Sequence, residues 1–334
     1  MRVAIICHGS VSAGLGHLFR SRTFANYSRG QTTTRIFAII ERGLENIFYT
    51  QKDITQFHYH QKSLFSNVSS FKPDIIVFDM LEIEEPLFYK LDGISALKVS
   101  ISPIFNMMEH VEMRFLRSKY FEPIENVETF GGLKYAIVNE YCKKVPLSTF
   151  KRNLAQDYLP IAVSMGGSDA PNKTLKVVEK LTQFPHELMI WVVLGEGYSH
   201  SYTKLVQAGK SGHQHEIILA KASKSTWDIM SNTALTILAG GLTSVESVIA
   251  GIPSINIFEK PEHMKLMAQE LNDHGVALNN HLFSDESLEE LLERLHHFYF
   301  NRSELLKIRQ KLQGTIDQKG AERVFKAVKR RFYF

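Results

Sequence analysis

The chain has 334 residues, which at roughly 150 residues per domain is enough for two domains. An apolar fraction of 44% and a charged fraction of 22% are typical of globular proteins and exclude disorder as the main state. The formal net charge of +4 is too small for a dedicated nucleic-acid binder, and the two cysteines exclude a disulfide scaffold.

Short apolar runs alternate with helical patterns in the first half of the chain. The apolar runs predict buried parallel strands at 3–7, 35–40, 74–79 and 97–101. Helical spacing is found at 18–27 and 84–91, whereas 103–130 is irregular and mixes apolar with basic residues.

The second half repeats this alternation. Strands are predicted at 161–165, 188–194, 215–219, 235–238 and 254–258. Helices are predicted at 172–181, 202–208, 226–230, 244–250, 263–272, 285–298, 303–318 and 321–328. This order predicts an α/β protein with two Rossmann-like domains facing a central cleft. We expect an N-terminal domain at 1–145, a C-terminal domain at 155–318 and a linker within 143–158.

The last sixteen residues, 319–334, contain six Lys and Arg residues and one Glu. This basic end predicts either a solvated terminal helix or a peripheral contact with an anionic membrane, where each basic residue contributes about 1 kcal/mol. No signal peptide and no apolar run of about 18 residues is found, so we expect a cytoplasmic protein.

A glycine-containing turn follows the first predicted strand. Gly14 and Gly16 precede His17 at the start of a helix, and Arg20 follows about one helical turn later. Glycines allow close approach of a ligand to the backbone, and a helix N-terminus attracts anions. A neutral His17 can act as a general base, or it can simply pack the start of the helix.

A second turn follows the first strand of the C-terminal domain. Gly166 and Gly167 expose backbone amides, and Ser168 adds a hydroxyl. Such a turn can hold a diphosphate. Alternatively it is an ordinary turn, with Asp169 or Asn172 capping the helix that follows.

A third turn follows the strand at 235–238. Gly240 and Gly241 precede Thr243 and Ser244 at a helix start, which again offers donors to phosphate oxygens. Glu246 can accept hydrogen bonds from both hydroxyls of a ribose, or it can complement the helix dipole.

Together these turns resemble the two-domain glycosyltransferase fold called GT-B. More specifically, they resemble the group that contains the lipid II-forming transferase MurG and the UDP-sugar hydrolase PseG. The turns at 14–20 and 166–174 are similar to two motifs of PseG-like proteins. The turn at 240–246, followed by Gly251 and Pro253, is similar to the nucleotide-sugar segment shared across the group.

The resemblance implies a nucleotide sugar, UDP-linked or related, bound mainly by the second domain, with Glu246 on its ribose. The turns at 166–168 and 240–243 would surround the nucleotide and its diphosphate. His17 would deprotonate the attacking nucleophile, and no metal ion or cofactor is implied. Asp79 corresponds to the acidic residue of an Asp-His-Tyr-like segment in PseG-like proteins, and His263 lies where a sugar contact is expected.

Three functions remain open from the sequence. The first is an inverting, metal-independent glycosyltransferase of surface-glycan biosynthesis. Its glycan or lipid-linked acceptor would lie against 103–120, a segment whose composition is also explained by packing in the core. The second is a hydrolase that releases UDP and free sugar. The third is a non-catalytic nucleotide-sugar-binding protein.

Overall fold

The computed structural model describes residues 1–10, 14–42, 55–221, 226–274, 277–312, 314 and 316–333, with only the backbone for 277–280. The chain divides into two compact units, Met1–Val138 with Lys319–Phe334, and Asn139–Gln318. The division falls at 138/139 instead of the expected 145–155, and it gives 319–334 to the first unit instead of setting it apart.

The first unit is built on a parallel sheet. Its described strands are β1 (Arg2–Gly9), β2 (Thr33–Ile40), β3 (Thr55–His58), β4 (Ile75–Asp79), β5 (Leu97–Ser100), β6 (Met113–Phe115) and β7 (Glu128–Phe130). Its helices are α1 (Gly16–Ser28), α2 (Leu64–Phe71), α3 (Glu85–Asp92) and, from the end of the chain, α12 (Gly320–Tyr333). The strand order β3-β2-β1-β4-β5-β6-β7 begins as in a Rossmann fold and reverses direction between β1 and β4.

Successive residues of β1 enter two different cores. Ile5 packs in a core with Phe24 of α1 and Phe325 of α12, and Ile6 packs in a core with Phe88 of α3. Helices therefore cover both faces of this sheet, as the continuous apolar strands predicted.

The segment 103–130 was expected to be irregular, but part of it forms strands. It contributes β6 and β7, which extend the sheet beyond β5. Each of these strands has only three residues, which is too short for a recognisable alternation. Arg114 in β6 is tied to β7 because its Nε donates to Thr129 Oγ1 at 2.7 Å.

The last helix is part of the first unit's core. Its buried apolar residues are Ala321, Val324, Phe325 and Val328. The Phe325 ring meets Phe24 edge-on, with the ring centroids 6.4 Å apart. This amphipathic spacing explains why 319–334 belongs to unit 1 and is not a separate tail.

The second unit has its own parallel sheet. Its described strands are β8 (Leu159–Ser164), β9 (Leu188–Leu194), β10 (Glu216–Lys221), β11 (Leu235–Leu238), β12 (Ser254–Phe258) and β13 (Ala277–Leu282). Its helices are α4 (Leu147–Leu154), α5 (Lys173–Leu181), α6 (Tyr202–Ser211), α7 (Trp227–Met230), α8 (Leu242–Ala250), α9 (Pro261–Asp273), α10 (Asp285–Phe300) and α11 (Arg302–Leu312). The order β10-β9-β8-β11-β12-β13 is that of a Rossmann fold, with its reversal between β8 and β11.

The expected linker at 143–158 contains α4. Phe150 of this helix is fully buried, and Asn153 Nδ2 donates to the carbonyl oxygens of Ser231 and Thr233, both at 3.0 Å. The polar composition of the segment reflects the exposed face of an amphipathic helix, so the segment is a structural part of unit 2.

Candidate functional site

A cluster of polar side chains lies at the carboxyl edge of the first sheet. Asp79 is the last residue of β4, which pairs with β1, and His17 lies in the first turn of the helix that follows β1. Ligands bind at this edge of open parallel sheets, at the point where the strand order reverses. The topology therefore brings together two candidates that are 62 residues apart.

The carboxylate of Asp79 is fully buried and binds one face of α1. It is 2.8 Å from His17 Nδ1, and it accepts from Arg20 Nε at 3.1 and 3.0 Å and from Ser21 Oγ at 3.1 Å. These three donors stand at positions i, i+3 and i+4 of the helix, which is the spacing that places side chains on one face.

The charge of Asp79 is kept by its partners. Burial alone would raise the pKa of Asp79, but the positive charge of Arg20 and the hydrogen bond from His17 outweigh it and bring that pKa to about 2. Asp79 is therefore a carboxylate at neutral pH and only accepts hydrogen bonds.

The ring of His17 is neutral at pH 7. Burial lowers its pKa below the ordinary 6.5 and outweighs the opposing effect of Asp79. Arg20 Nη2 lies 2.9 Å from His17 Nδ1 and also donates to Asp79 Oδ1. The carboxylate oxygen therefore fits as the acceptor of both N–H groups, which places the ring proton on Nδ1 and leaves Nε2 able to accept a proton.

Two further residues face this cluster, and the sequence did not single them out. Arg117 follows β6, and its charge acts on both His17 and Asp79. His8 lies in β1, and its pKa is lowered by burial and, to a smaller extent, by the nearby His17. Arg117 lies in the apolar and basic segment 103–120, but nothing in the pattern separated it from its basic neighbours.

The glycines of the first turn have different surroundings. Gly14 has a φ of +82° and donates its N–H to the carbonyl oxygen of Ser10 at 2.9 Å, which closes the turn. A Cβ on Gly16 would meet no atom within 4 Å, so the start of α1 is open. Residues 11–13 lie outside the described part of the chain.

In the second unit, the turns after β8 and β11 follow neighbouring strands. The register pairs Ser164 with Leu238, the final residues of the two strands. Gly166, with a φ of +103°, and Gly241 both have open space where a Cβ would lie. A second edge with exposed backbone thus forms where this strand order reverses.

The turn at 166–174 is held together by Asp169. Its carboxylate accepts from the backbone N–H of Lys173 at 2.9 Å and of Thr174 at 2.8 Å, so it caps α5. Asn172, the other capping candidate, has a φ of +54° and its Oδ1 accepts from Tyr198 OH at 2.8 Å. The carbonyl oxygen of Gly167 accepts from the N–H of Gly197 at 3.0 Å, and Ser168 beside it is buried.

The turn at 240–244 opens α8. A Cβ on Gly240 would lie 2.1 Å from the Phe258 ring, and the φ of +72° also requires glycine. Ser244 uses its hydroxyl internally, donating to Asn256 Oδ1 at 2.6 Å, whereas Thr243 is only half-buried. The N-cap residue Gly241 offers no side-chain cap to α8, and the Ser244 N–H donates to the carbonyl oxygen of Gly241 at 3.2 Å. The N–H groups of Leu242 and Thr243 remain at the open end of the helix.

Glu246 has structural partners that the sequence did not predict. Its Oε1 accepts from the backbone N–H of Asn139 at 2.9 Å, and its Oε2 accepts from Trp227 Nε1 at 3.1 Å. Burial raises its pKa against the effect of these two donors. Glu246 therefore holds the start of unit 2 against α8.

Two other polar side chains lie near the end of β12. His263 is half-buried in the first turn of α9. Lys173 is buried, and its Nζ is 3.3 Å from Glu259 Oε2. This ion pair links the start of α5 to the residue after β12, and sequence spacing gave no sign of it. Among the described residues, no group of three His, Cys, Asp or Glu side chains could hold a metal ion.

Comparisons with known proteins were made on sequence and on structure. No family model matches the chain. An uncharacterized protein of Methanocaldococcus jannaschii is 26% identical over 278 residues, which are 78% of this chain and 56% of that protein. The chain thus spans little more than half the length of this relative.

Solved structures similar to this chain match it over nearly its whole length. MurG of Acinetobacter baumannii has a TM-score of 0.67 at 16% identity, covering 98% of this chain and 99% of that one. The UDP-GlcNAc 2-epimerase of Neisseria meningitidis, bound to UDP-GlcNAc, has a TM-score of 0.59 at 10% identity, covering 99% and 100%. The chain has the GT-B fold, and this prediction from the sequence is confirmed.

Proposed function

We propose that the protein is an inverting glycosyltransferase that uses a UDP-linked sugar. The observation that carries the proposal is the buried Asp79 carboxylate bound to a neutral His17, which leaves Nε2 of the imidazole as a base. An N–H held by a carboxylate orients the ring and stabilises the imidazolium that forms when Nε2 takes a proton.

The donor is assigned to the second unit. The amides of Gly166, Gly167 and Gly241 and the N-terminus of α8 would bind the diphosphate, since backbone N–H groups and the helix dipole favour anions. Glu246 would contact the ribose, and Thr243 and His263 would complete the nucleotide-sugar contacts.

In the proposed step, the acceptor hydroxyl gives its proton to His17 Nε2 while its oxygen attacks the anomeric carbon. The bond from that carbon to the diphosphate oxygen breaks, and UDP leaves from the opposite face. Backbone amides and the α8 dipole would stabilise the charge that develops on UDP, which is why the proposal needs no metal ion.

Hydrolysis is the second candidate, because the turns at 14–20 and 166–174 resemble those of a hydrolase. The two reactions differ only in the nucleophile. We expect a UDP-sugar alone to give slow UDP release, because closed transferase sites suppress attack by water. Rapid release of free sugar without an acceptor would make the protein a hydrolase.

Thermal-shift measurements with UDP, CMP, GDP and dTDP test the donor site. A ligand at 100 times its Kd stabilises the native state by about 2.7 kcal/mol, so UDP should raise Tm clearly. His17→Gln should keep this response while UDP release falls by roughly 10²–10⁴-fold. An absent UDP response would contradict the donor site, and wild-type turnover in His17→Gln would contradict the base.

The exposed end of α12 is proposed to touch an anionic membrane. Arg330 and Arg331 are exposed, and so are Phe332 and Tyr333 beside them. No described helix is long and apolar enough to cross a membrane. Removing residues 319–334 would damage the first core, so the suitable variant is Arg330→Gln with Arg331→Gln. We expect it to sediment less than wild type with anionic vesicles, and equal sedimentation would exclude this contact.

A further inference from the structure

Arg117 is half-buried, and it differs from Arg20 and Arg114, the two buried arginines near the edge of the first sheet. Arg20 is bound to Asp79, and Arg114 donates to Thr129 Oγ1 and to the carbonyl oxygen of Glu122. The Nε of Arg117 is buried without a hydrogen-bond partner. The Nε of Arg309 is also without one, but the Nη atoms of Arg309 donate to the carbonyl oxygens of Gly251 and Val145. A buried donor without a partner is costly, so the Nε of Arg117 requires a partner such as an ordered water or a ligand.

The charge around Arg117 is not balanced. Asp79 and Arg20 neutralise one another, and His17 is neutral, which leaves the positive charge of Arg117. Burial, followed by the nearby charge of Arg20, lowers the pKa of Arg117 to about 9, so the guanidinium is still charged at pH 7. The carboxylates of Glu41 and Glu82 act on the neighbouring His8.

We propose that Arg117 binds an oxyanion of the acceptor, a carboxylate or a phosphate, beside His17. A planar guanidinium offers two parallel N–H donors that match both of these groups. Calling this anion part of the acceptor rests on the proposed function. The existence of an anion site at Arg117 rests only on the geometry of the first unit.

An anion at this position also changes His17. The charge of Arg117 lowers the pKa of His17, so an anion that neutralises Arg117 raises it. Binding of the acceptor would then make His17 a stronger base at the moment when a base is required. An acceptor without the anionic group would lack this effect as well as the contact.

The test is an NMR titration of histidine-labelled protein, with the His17 signal identified by its loss in His17→Gln. The ligands are glucuronate, glucose 1-phosphate and, as a neutral control, glucose. We expect one or both anions to raise the pKa of His17, and glucose to leave it unchanged. A response to glucuronate alone assigns the carboxylate, and a response to glucose 1-phosphate alone assigns the phosphate.

Three variants complete the test. Arg117→Gln should raise the pKa of His17 without ligand and weaken anion binding by about tenfold or more, the effect expected for charge-assisted hydrogen bonds. Arg117→Lys keeps the charge but loses the fork, so only its affinity should fall. Lys119 is exposed and lies two residues after Arg117. Lys119→Gln removes the same charge there and should behave as wild type.

The inference is overturned if His17 responds to neither anion, or if Arg117→Gln responds as wild type does. The readout needs neither turnover nor UDP. A protein that fails to bind UDP but still shows the Arg117-dependent response would lose the proposed function and keep the anion site.

Discussion

At the scale of single residues, the cluster on α1 derives its chemistry from opposed effects. Burial favours the neutral form of both His17 and Asp79, and the charge of Arg20 reverses this only for Asp79. The result is a permanent carboxylate bound to a neutral imidazole. Substituting Asp79 or Arg20 would therefore shift the pKa of His17, since Asp79 raises that pKa and Arg20 lowers it.

The pH dependence of kcat/KM reports this arrangement. We expect activity to rise with pH as His17 loses its proton, with a midpoint below 6.5, because burial lowers the pKa of His17. Asp79→Asn removes the carboxylate that opposes this shift, so its midpoint should lie lower still. His60→Gln, at an exposed position, is the control. A wild-type midpoint above 6.5 would contradict the assignment.

The sequence identified His17, Arg20 and Asp79 as candidates but not their contacts. His17 was chosen from its position at a helix start, and Asp79 from its position at a strand end. Their hydrogen bond depends on β1 and β4 being neighbours, which no local pattern states. Arg117 was missed because the strand before it, β6, has only three residues and shows no recognisable pattern.

At the scale of elements, the two neighbouring glycines of one turn are subject to different constraints. Gly240 is required by the fold, since a Cβ would collide with the ring of Phe258. Gly241 has open space around the same position. The sequence alone cannot distinguish the two glycines, because the difference depends on Phe258 of β12 packing beside the turn.

Alanine at each of the two positions should separate stability from binding. Gly240→Ala is expected to lower stability by about 1–3 kcal/mol or more, from backbone strain and overpacking. Gly241→Ala should keep the wild-type Tm and weaken UDP binding by about tenfold, since it fills the space proposed for the diphosphate. Urea unfolding and UDP titration measure the two effects. Normal UDP affinity in Gly241→Ala would move the diphosphate elsewhere.

Elements with a strong apolar pattern were predicted well. The strands at 188–194, 235–238 and 254–258 were predicted to the residue. The predicted helix at 303–318 ends earlier, at Leu312, and β13 was missed. The prediction of helices and strands failed where an element is short, or where packing and not composition decides its secondary structure.

At the scale of the whole molecule, the two units differ in how the chain builds them. Unit 2 is continuous from Asn139 to Gln318, whereas unit 1 combines Met1–Val138 with the final helix. Val324 and Phe325 of that helix belong to the same core as β1 and α1. The folding of unit 1 thus depends on two distant parts of the sequence.

Fragments should reflect this difference. We expect the fragment 139–318 to unfold cooperatively on its own, because it contains a complete core. The fragment 1–138 should lack a cooperative transition and regain it when a peptide of 319–334 is added, because loss of buried Phe and Val side chains costs several kcal/mol. Circular dichroism during thermal unfolding is the measurement. A stable 1–138 fragment would show that α12 is dispensable.

The sequence by itself determined the class of the protein: two α/β halves, the order of most strands and helices, and three turns that resemble those of nucleotide-sugar enzymes. These follow from local patterns, since apolar periodicity and glycine positions act over a few residues. Only the tertiary structure decided that Asp79 binds His17 and Arg20, that Asn139 and Trp227 hold Glu246, and that α12 completes the first core. The physical reason is that these contacts join residues far apart in the chain. Local patterns give the order of the elements along the chain, but they do not encode which elements become neighbours in the fold.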